Sequence, residues 1–126
     1  MSRLPRFQLI SGQSDATRWR LLGANNVSLG VGAIDYADVA ECLAAIKWLC
    51  GNIDRTRVEF KHHSGIQWRW VIHDDTGAIA TASHPYGRRI EARRAFDRFV
   101  SAVGTATAYS ENGKISDWRT KYRIDS

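Results

Sequence analysis

The 126-residue chain contains two segments that match each other at a spacing of about 50 residues. Trp19 and Arg20 match Trp68 and Arg69, and the turn that follows is one residue longer in the second segment. The positions matched after that turn are Leu29 with Ile79, Tyr36 with Tyr86, Glu41 with Glu91, Ile46 with Phe96 and Leu49 with Phe99. Self-similarity at a fixed period indicates one supersecondary unit that occurs twice. The repeat therefore constrains the fold more strongly than the composition does.

Each segment has the pattern of three strands followed by one helix. Alternation of apolar and polar residues predicts strands, as where Trp19 and Leu21 alternate with Arg18 and Arg20. The predicted strands are Arg6–Ile10, Thr17–Leu22 and Ser28–Ala33, then Val58–His62, Gln67–His73 and Ala78–Ser83. Apolar residues spaced four and three apart predict a helix after each set, and they are Cys42, Ile46, Leu49 and Ile53, then Ala92, Phe96, Phe99 and Val103.

The repeat predicts an α+β fold in a single domain. One helix on a three-stranded sheet buries too little surface for a stable unit, but two such units side by side bury enough. We therefore predict two tandem strand-strand-strand-helix repeats, at about 6–53 and 58–103, within one domain over 1–103. They form an antiparallel sheet with two helices packed on one face. Exchange of one unit between two protomers is the alternative arrangement.

The C-terminal extension, 104–126, lies outside the repeat. Ala106–Glu111 has a strand pattern, and Asn112 with Gly113 is a favoured hairpin turn. We therefore predict a hairpin or a tail that docks on a partner.

The two helices are expected to begin differently. Asp38 and Glu41 have the spacing of a capping box, in which side chains accept from the free N–H groups of the first turn. In the second segment Arg88 stands where Asp38 stands in the first. The second helix therefore lacks an N-cap acceptor worth about 1 kcal/mol.

Small residues alternate along the third strand of each segment. They are Ser28, Gly30 and Gly32, then Ala78, Ala80 and Ala82. A row of small side chains lets another backbone or a large aromatic ring come close. We interpret it as a place where a neighbouring strand or subunit packs.

The repeated pattern resembles the YegP-like family, small bacterial and archaeal proteins with one or two copies of a domain of unknown function. The motif is an aromatic-Arg strand, a short turn, a strand of small residues, a Tyr and an amphipathic helix. The residues that carry the resemblance are Trp68 to Trp70, Asp74 to Gly77, Ile79, Ala80, Ser83, Tyr86 and the stretch from Ile90 to Phe99. The resemblance implies an α+β fold of tandem units, often dimeric, and brings no established catalytic residues.

The residues that usually carry chemistry do not converge in the sequence. Cys42 and Cys50 lie about 12 Å apart along a predicted helix, too far for an intrachain disulfide. The four histidines share no metal-binding spacing with each other or with the cysteines. Asp74 and Asp75 fall in a predicted turn, where carboxylates usually face water. We therefore expect no catalytic residue, no metal site and no cofactor.

Arginine marks the best candidate surface. The segment Arg88–Ser101 carries five arginines against two acidic residues, whereas the matching Asp38–Gly51 has a net charge of −1. A guanidinium group binds phosphate and carboxylate through two parallel hydrogen bonds. The candidate partner-binding residues are Arg18, Arg20, Arg69, Arg88, Arg89, Arg93, Arg94 and Arg98. The alternative is a solvated helix face with local ion pairs.

These observations predict a small, cytoplasmic, non-enzymatic interaction module that forms a homodimer. The net charge of +5 is modest, and no apolar run approaches the roughly 20 residues of a membrane helix. Three alternatives stay open. They are a nucleic-acid binder that contacts the phosphate backbone through the arginine-rich second helix, an inhibitor-like binder of an acidic protein, and a small enzyme.

Overall fold

The alternating segments of the sequence form strands, and the two apolar stripes form helices. The structure, a computed structural model, describes residues 4–11, 15–62, 64–110 and 113–114. Its elements are β1 (Arg6–Ser11), β2 (Thr17–Leu22), β3 (Ser28–Gly32), α1 (Val39–Asn52), a 3₁₀ turn (Ile53–Arg55), β4 (Arg57–His62), β5 (Trp68–Asp74), β6 (Gly77–Ala82), α2 (Arg89–Val103), β7 (Thr107–Ser110) and β8 (Gly113–Lys114). The six predicted strands are confirmed, with bounds that differ by no more than one residue at either end.

The strands form one sheet in the order β4-β5-β6-β3-β2-β1-β7-β8. Among the first six of these strands, every neighbouring pair is antiparallel. The central pair, β3 and β6, joins the two halves of the chain, with Gly30 opposite Ala82 and Gly32 opposite Ala80. The α+β architecture is thus confirmed. Both halves have the same order of elements, while their origin as copies of one unit stays a prediction.

Both helices pack on the same face of the sheet, over one apolar core. α1 lies against β2, and α2 crosses from β2 to β5. The largest fully buried side chains come from both halves, and they are Trp19, Trp70, Phe7, Phe99, Leu21, Leu43, Ile46, Leu49 and Ile72. The alternation of Arg18 and Arg20 with Trp19 and Leu21 therefore places these two arginines on the face away from the helices.

Aromatic rings of the core fill the space above the small residues of β3. A Cβ atom on Gly30 would lie 2.6 Å from the Phe99 ring and 2.8 Å from Trp70, and one on Gly32 would lie 2.8 Å from the Trp19 indole nitrogen. A row of small residues admits either another backbone or a large aromatic ring, and here the neighbour is an aromatic ring. The interpretation of the row as a contact with another subunit is therefore wrong for Gly30 and Gly32.

The helix starts differ as predicted. The Oδ1 atom of Asp38 accepts a 2.8 Å hydrogen bond from the Glu41 N–H, and Oε2 of Glu41 accepts one of 3.0 Å from the Ala37 N–H. At α2 the N-cap residue is Arg88, whose side chain makes no capping hydrogen bond. α2 therefore begins without the side-chain acceptor that stabilises α1.

The start of the C-terminal extension joins the sheet. β7 pairs in parallel with β1, so that Arg6 lies opposite Thr107, and it pairs antiparallel with the two-residue β8. The predicted turn residue Asn112 and the strand end Glu111 lie outside the described residues. Within the described ranges, neither helix is long and apolar enough to cross a membrane.

Candidate binding clefts

The arginines predicted to bind a partner lie on two separate surfaces. On the face away from the helices, Nε of Arg18 donates to Oδ1 of Asp35 at 2.8 Å, and Nε of Arg20 donates to Oε1 of Gln8 at 2.6 Å. Arg69 lies on the same face and is half-buried, with its Nε atom buried and unpaired in the described part of the chain. These three arginines are separated from those of α2 by the sheet.

Two of the α2 arginines make exposed local ion pairs. Nε of Arg88 lies 3.6 Å from Oε1 of Glu91, and Nε of Arg93 lies 3.4 Å from Oδ1 of Asp97. Exposed pairs of this kind contribute about 0.5 kcal/mol or less, because water screens both charges. An anionic ligand could therefore displace either acid at little cost.

The other three α2 arginines have no acidic partner among the described residues. The Arg89 guanidinium lies over the Phe60 ring at 5.0 Å, a cation–π contact, and Arg94 is exposed. Arg98, one turn after Arg94, is exposed and lies near Tyr86. Of the predicted residues, Arg98 lines one of the two cavities described below.

We call this cavity the Arg98 cleft. It has a volume of about 540 Å³ and lies between the turn from β2 to β3 and the segment before α2. Its lining residues are Gly23, Ala24, Asn25, Val27, Ser28, Leu29, His84, Tyr86 and Arg98. Every one of these nine is neutral or basic, so the cleft favours an anion.

The backbone holds both walls of the Arg98 cleft. On one side, the Gly23 and Val27 main chains pair at 2.8 Å, and Oδ1 of Asn25 accepts from the Val27 N–H. Asn26 has the positive φ of 68° that asparagine tolerates in such a turn. On the other side, Tyr86 exchanges two backbone hydrogen bonds of 2.7 Å with Trp68.

Polar side chains lie close together in the Arg98 cleft. The Tyr86 hydroxyl lies 3.3 Å from Nε2 of His84. Burial raises the pKa of Tyr86, and the positive charge of Arg98 opposes that rise. The tyrosine is therefore neutral near pH 7, so the cleft carries the guanidinium charge uncompensated.

A second cavity lies at the corresponding place in the other half of the sheet. This Trp48 cleft has a volume of about 240 Å³ and is lined by Trp19, Ile34, Tyr36, Ala45, Trp48, Leu49, Asp74, Thr76 and Ile79. Each cleft joins the tyrosine and helix of one half to the hairpin turn of the other half. The two turns share one hydrogen bond, because Asp74 accepts from the Thr76 N–H as Asn25 accepts from the Val27 N–H.

The two clefts have opposite chemistry on the same framework. Trp48 and Arg98 are 50 residues apart, as are the two tyrosines that close the clefts. The turn residue is Asp74 in the Trp48 cleft and Asn25 in the Arg98 cleft. One cleft is therefore aromatic and acidic, and the other is polar and basic. The sequence contained this contrast in the spacing of Trp48 and Arg98, but their pairing with a turn from the opposite half was not predicted.

The remaining reactive side chains are paired, or are buried apart from one another. Nε2 of His73 lies 2.9 Å from Oε1 of Glu59, and His62 stacks on Trp68 at 4.0 Å. Both cysteines are free, and burial raises the pKa of the Cys42 thiol to about 12. No three His, Cys, Asp or Glu side chains of the described ranges are grouped as metal ligands.

A sheet of antiparallel strands with two helices on one face defines the chain as a small α+β protein, and two solved solution structures share this fold. One is YegP from E. coli, a protein of unknown function, with a TM-score of 0.63 and 17% identity over 88% of this chain and 97% of that one. The other is a UPF0339 protein from Shewanella oneidensis, with a TM-score of 0.69 and 13% identity over 87% and 93% of the two chains.

The resemblance to the YegP-like family is thus confirmed in the fold. At these identities the likeness is one of architecture, and the chemistry must be argued from the clefts themselves. No protein-family model and no curated protein sequence matches the chain.

Proposed function

We propose that the chain is a non-enzymatic binding module for an anionic partner, and that the α2 arginines and the Arg98 cleft form its binding surface. The observation that supports this is the lining of the cleft, which combines a guanidinium, an imidazole, a phenol and an amide without a carboxylate. Such groups donate hydrogen bonds to phosphate or carboxylate oxygens.

The exposed helix face extends the surface beyond the cleft. Arg94 and Arg98 are four residues apart, which places them about 6 Å from each other along the helix axis. Arg88 and Arg93 add two charges whose present partners are weakly held. Several positive charges spread over one exposed helix suit a polymer with many negative groups better than a single small anion.

The phosphate backbone of a nucleic acid is the partner that we propose. Base stacking is not part of the proposal, because the Trp19 and Trp70 rings lie in the core and Arg89 covers Phe60. The exposed Trp48 belongs to α1 and not to the α2 surface. Binding then depends on charge and on release of counterions, so it should be insensitive to base sequence and steeply sensitive to salt.

The test is fluorescence anisotropy with labelled RNA and DNA oligonucleotides of unrelated sequences. We expect binding at about 50 mM salt that weakens by an order of magnitude or more at about 200 mM. Replacement of Arg94 and Arg98 by glutamine should reduce both the affinity and the salt dependence. Arg18→Gln is the matched control for Arg94→Gln and Arg98→Gln made singly, since each removes one charge and Arg18 is an exposed arginine on the opposite face.

Two outcomes would contradict the proposal. Absence of binding at low salt would exclude the nucleic-acid partner, and an equal loss of affinity in the Arg18→Gln control would show that net charge alone is responsible. A glutamate-rich peptide of the same charge serves as competitor. If that peptide binds and the oligonucleotides do not, the partner is an acidic protein and the phosphate assignment is wrong.

Self-association is a second candidate, and the observation that favours it is the sequence of β4. This strand lies at one end of the sheet order, with five of its six residues exposed. Edge strands can pair with a second copy of themselves. Antiparallel pairing centred on Phe60 would place Glu59 opposite Lys61 at two symmetric positions, which is favourable.

A concentration series by light scattering tests this pairing. Lys61→Glu would place like charges opposite each other and should shift the dimer toward monomer. The double change Glu59→Lys with Lys61→Glu reverses both charges and should restore the dimer. A monomer at every concentration, or a dimer that Lys61→Glu leaves unchanged, would contradict the pairing.

A further inference from the structure

The Trp48 cleft exposes aromatic and apolar groups that the fold does not bury. The side chain of Trp48 is 42% exposed and that of Ile34 is 39% exposed, and both line this cavity. α1 buries Leu43, Ile46 and Leu49 against the sheet, whereas Val39 at its first position is exposed like Trp48. The indole of Trp48 therefore stands at the mouth of the cavity without a role in the core.

A single carboxylate supplies the charge in this cleft. Asp74 is the acidic member of the nine lining residues, and none of the nine is basic. Its Oδ1 atom accepts from the Thr76 N–H at 2.7 Å, the Thr76 hydroxyl at 2.6 Å and the Gly77 N–H at 3.2 Å. Because these bonds all end on Oδ1, they hold the carboxylate in place at the wall of the cleft.

The tyrosine of the cleft is fixed beside that carboxylate. Tyr36 exchanges backbone hydrogen bonds of 2.7 and 2.8 Å with Thr17, and it lines the cavity together with Trp19. Burial raises the pKa of Tyr36, and the nearby charge of Asp74 raises it further. The phenol therefore stays neutral, and the negative charge of the cleft stays on Asp74.

We propose that the Trp48 cleft binds an organic cation, namely a methylated or quaternary ammonium group. Such a cation is attracted to the faces of indole and phenol rings and to a carboxylate, and its methyl groups pack on Ile34 and Ile79. A volume of about 240 Å³ is smaller than that of most drug-sized sites, so it suits the ammonium head group rather than a whole large ligand.

The Arg98 cleft provides an internal comparison. There Arg98 stands at the position of Trp48, and Asn25 stands at the position of Asp74. The exposed indole and the carboxylate are thus absent from a cavity with the same framework, while a phenol is present in both. The preference of a cation for the Trp48 cleft over the Arg98 cleft therefore depends on Trp48 and Asp74, and each of these residues can be changed singly.

Titration with choline chloride, followed by the indole and backbone amide signals in nuclear magnetic resonance spectra, tests the proposal. We expect saturable shifts that centre on the Trp48 indole. The neutral isostere 3,3-dimethylbutan-1-ol has the same shape without the charge and should bind at least about fivefold more weakly.

Two variants assign the contacts. Asp74→Asn should weaken choline binding by about fivefold or more while the turn stays folded, since Asn25 supports the matching turn. Trp48→Leu should have a similar effect, and its exposure makes the change tolerable to the fold. Arg98→Gln is the control that should leave choline binding unchanged and that separates this site from the anionic one.

Three outcomes would overturn the proposal. They are no shift with choline at its highest usable concentration, equal binding of the neutral isostere, and unchanged choline affinity in both Asp74→Asn and Trp48→Leu.

Discussion

Gly30 on β3 lies directly beneath the ring of Phe99, and a Cβ atom added to it would come within 2.6 Å of that ring. Phe99 is fully buried and also contacts Trp70, with ring centroids 4.6 Å apart. A displaced Phe99 ring would therefore push against a second large ring. The glycine sets how closely α2 can approach the sheet.

Gly30→Ala is expected to destabilise the protein by about 2 kcal/mol, because overpacking a well-filled core costs of this order. Urea unfolding followed by tryptophan fluorescence measures the change. Gly51→Ala is the matched control, since a Cβ atom there meets nothing within 4 Å and Ala favours a helix over Gly. If both variants unfold at the same urea concentration, the ring does not limit the approach of α2.

Asp38→Ala is expected to lower the free energy of unfolding by about 1 kcal/mol, because the N–H of Glu41 loses its acceptor. Asp38→Asn keeps an acceptor in place and should cost less. Both are measured by urea unfolding, and an Asp38→Ala protein of native stability would show that water replaces the cap without loss.

Arg88→Asp should act in the opposite direction at α2. It introduces an N-cap acceptor, with Glu91 three residues on, and should raise the free energy of unfolding by about 0.5–1 kcal/mol. The lost Arg88 to Glu91 pair, at 3.6 Å and exposed, offsets little of this gain. Arg88→Ala removes the same ion pair without adding an N-cap acceptor, so it measures how much stability is lost with the ion pair alone. A fall in stability in Arg88→Asp itself would contradict this account of the helix start.

Period-two alternation predicted the strands well because one face of this sheet is buried. Trp19 and Leu21 lie inside and Arg18 outside, as the pattern requires. The pattern could not show two bulges. Leu29 and Ile79 are each the extra residue where the register shifts, and each lines one of the two clefts.

Contacts between distant parts of the chain were the other feature that local patterns could not predict. Arg98 lines the same cleft as Ser28 and Leu29 because β3 pairs with β6 at the centre of the sheet. Periodicity shows which face of a strand or helix is buried, but it does not show which strands and helices lie next to each other. The excess of arginine in the second helix was visible in the sequence, whereas the cavity that singles out Arg98 was not.

Asp74 should make stability depend on pH in the acid range. The pKa of Asp74 is lowered in the folded protein, chiefly by the hydrogen bond from the Thr76 hydroxyl. Because the pKa in the folded protein lies below the unfolded pKa of about 3.9, the ionised carboxylate stabilises the fold above that pH. This stabilisation is lost as the pH falls through the pKa of the folded protein.

Urea midpoints measured from neutral pH down to about pH 3 or below test this linkage. Asp74→Asn should remove that part of the acid dependence while it preserves the turn, and Thr76→Val should reduce it by removing the hydroxyl. Identical pH profiles for the three proteins would show that Asp74 has the same pKa folded and unfolded.

Cys42 should be inert in the folded protein although it is a free thiol. It is fully buried in α1, and burial raises its pKa to about 12. The thiolate is the reactive form, so at about pH 8 both burial and protonation oppose reaction. Cys50, half-buried with its sulfur 3.8 Å from the Val103 carbonyl oxygen, should react first with Ellman's reagent.

Cys50→Ser isolates Cys42 for the measurement, and Cys42→Ala is the reciprocal control. In Cys50→Ser we expect the thiol to be modified only as fast as the protein unfolds, so that added urea accelerates the reaction. A rate close to that of a free thiol without denaturant would mean that α1 separates from the sheet in the native protein. The Trp48 cleft would then open with it, since Trp48 and Leu49 of the same helix form one of its walls.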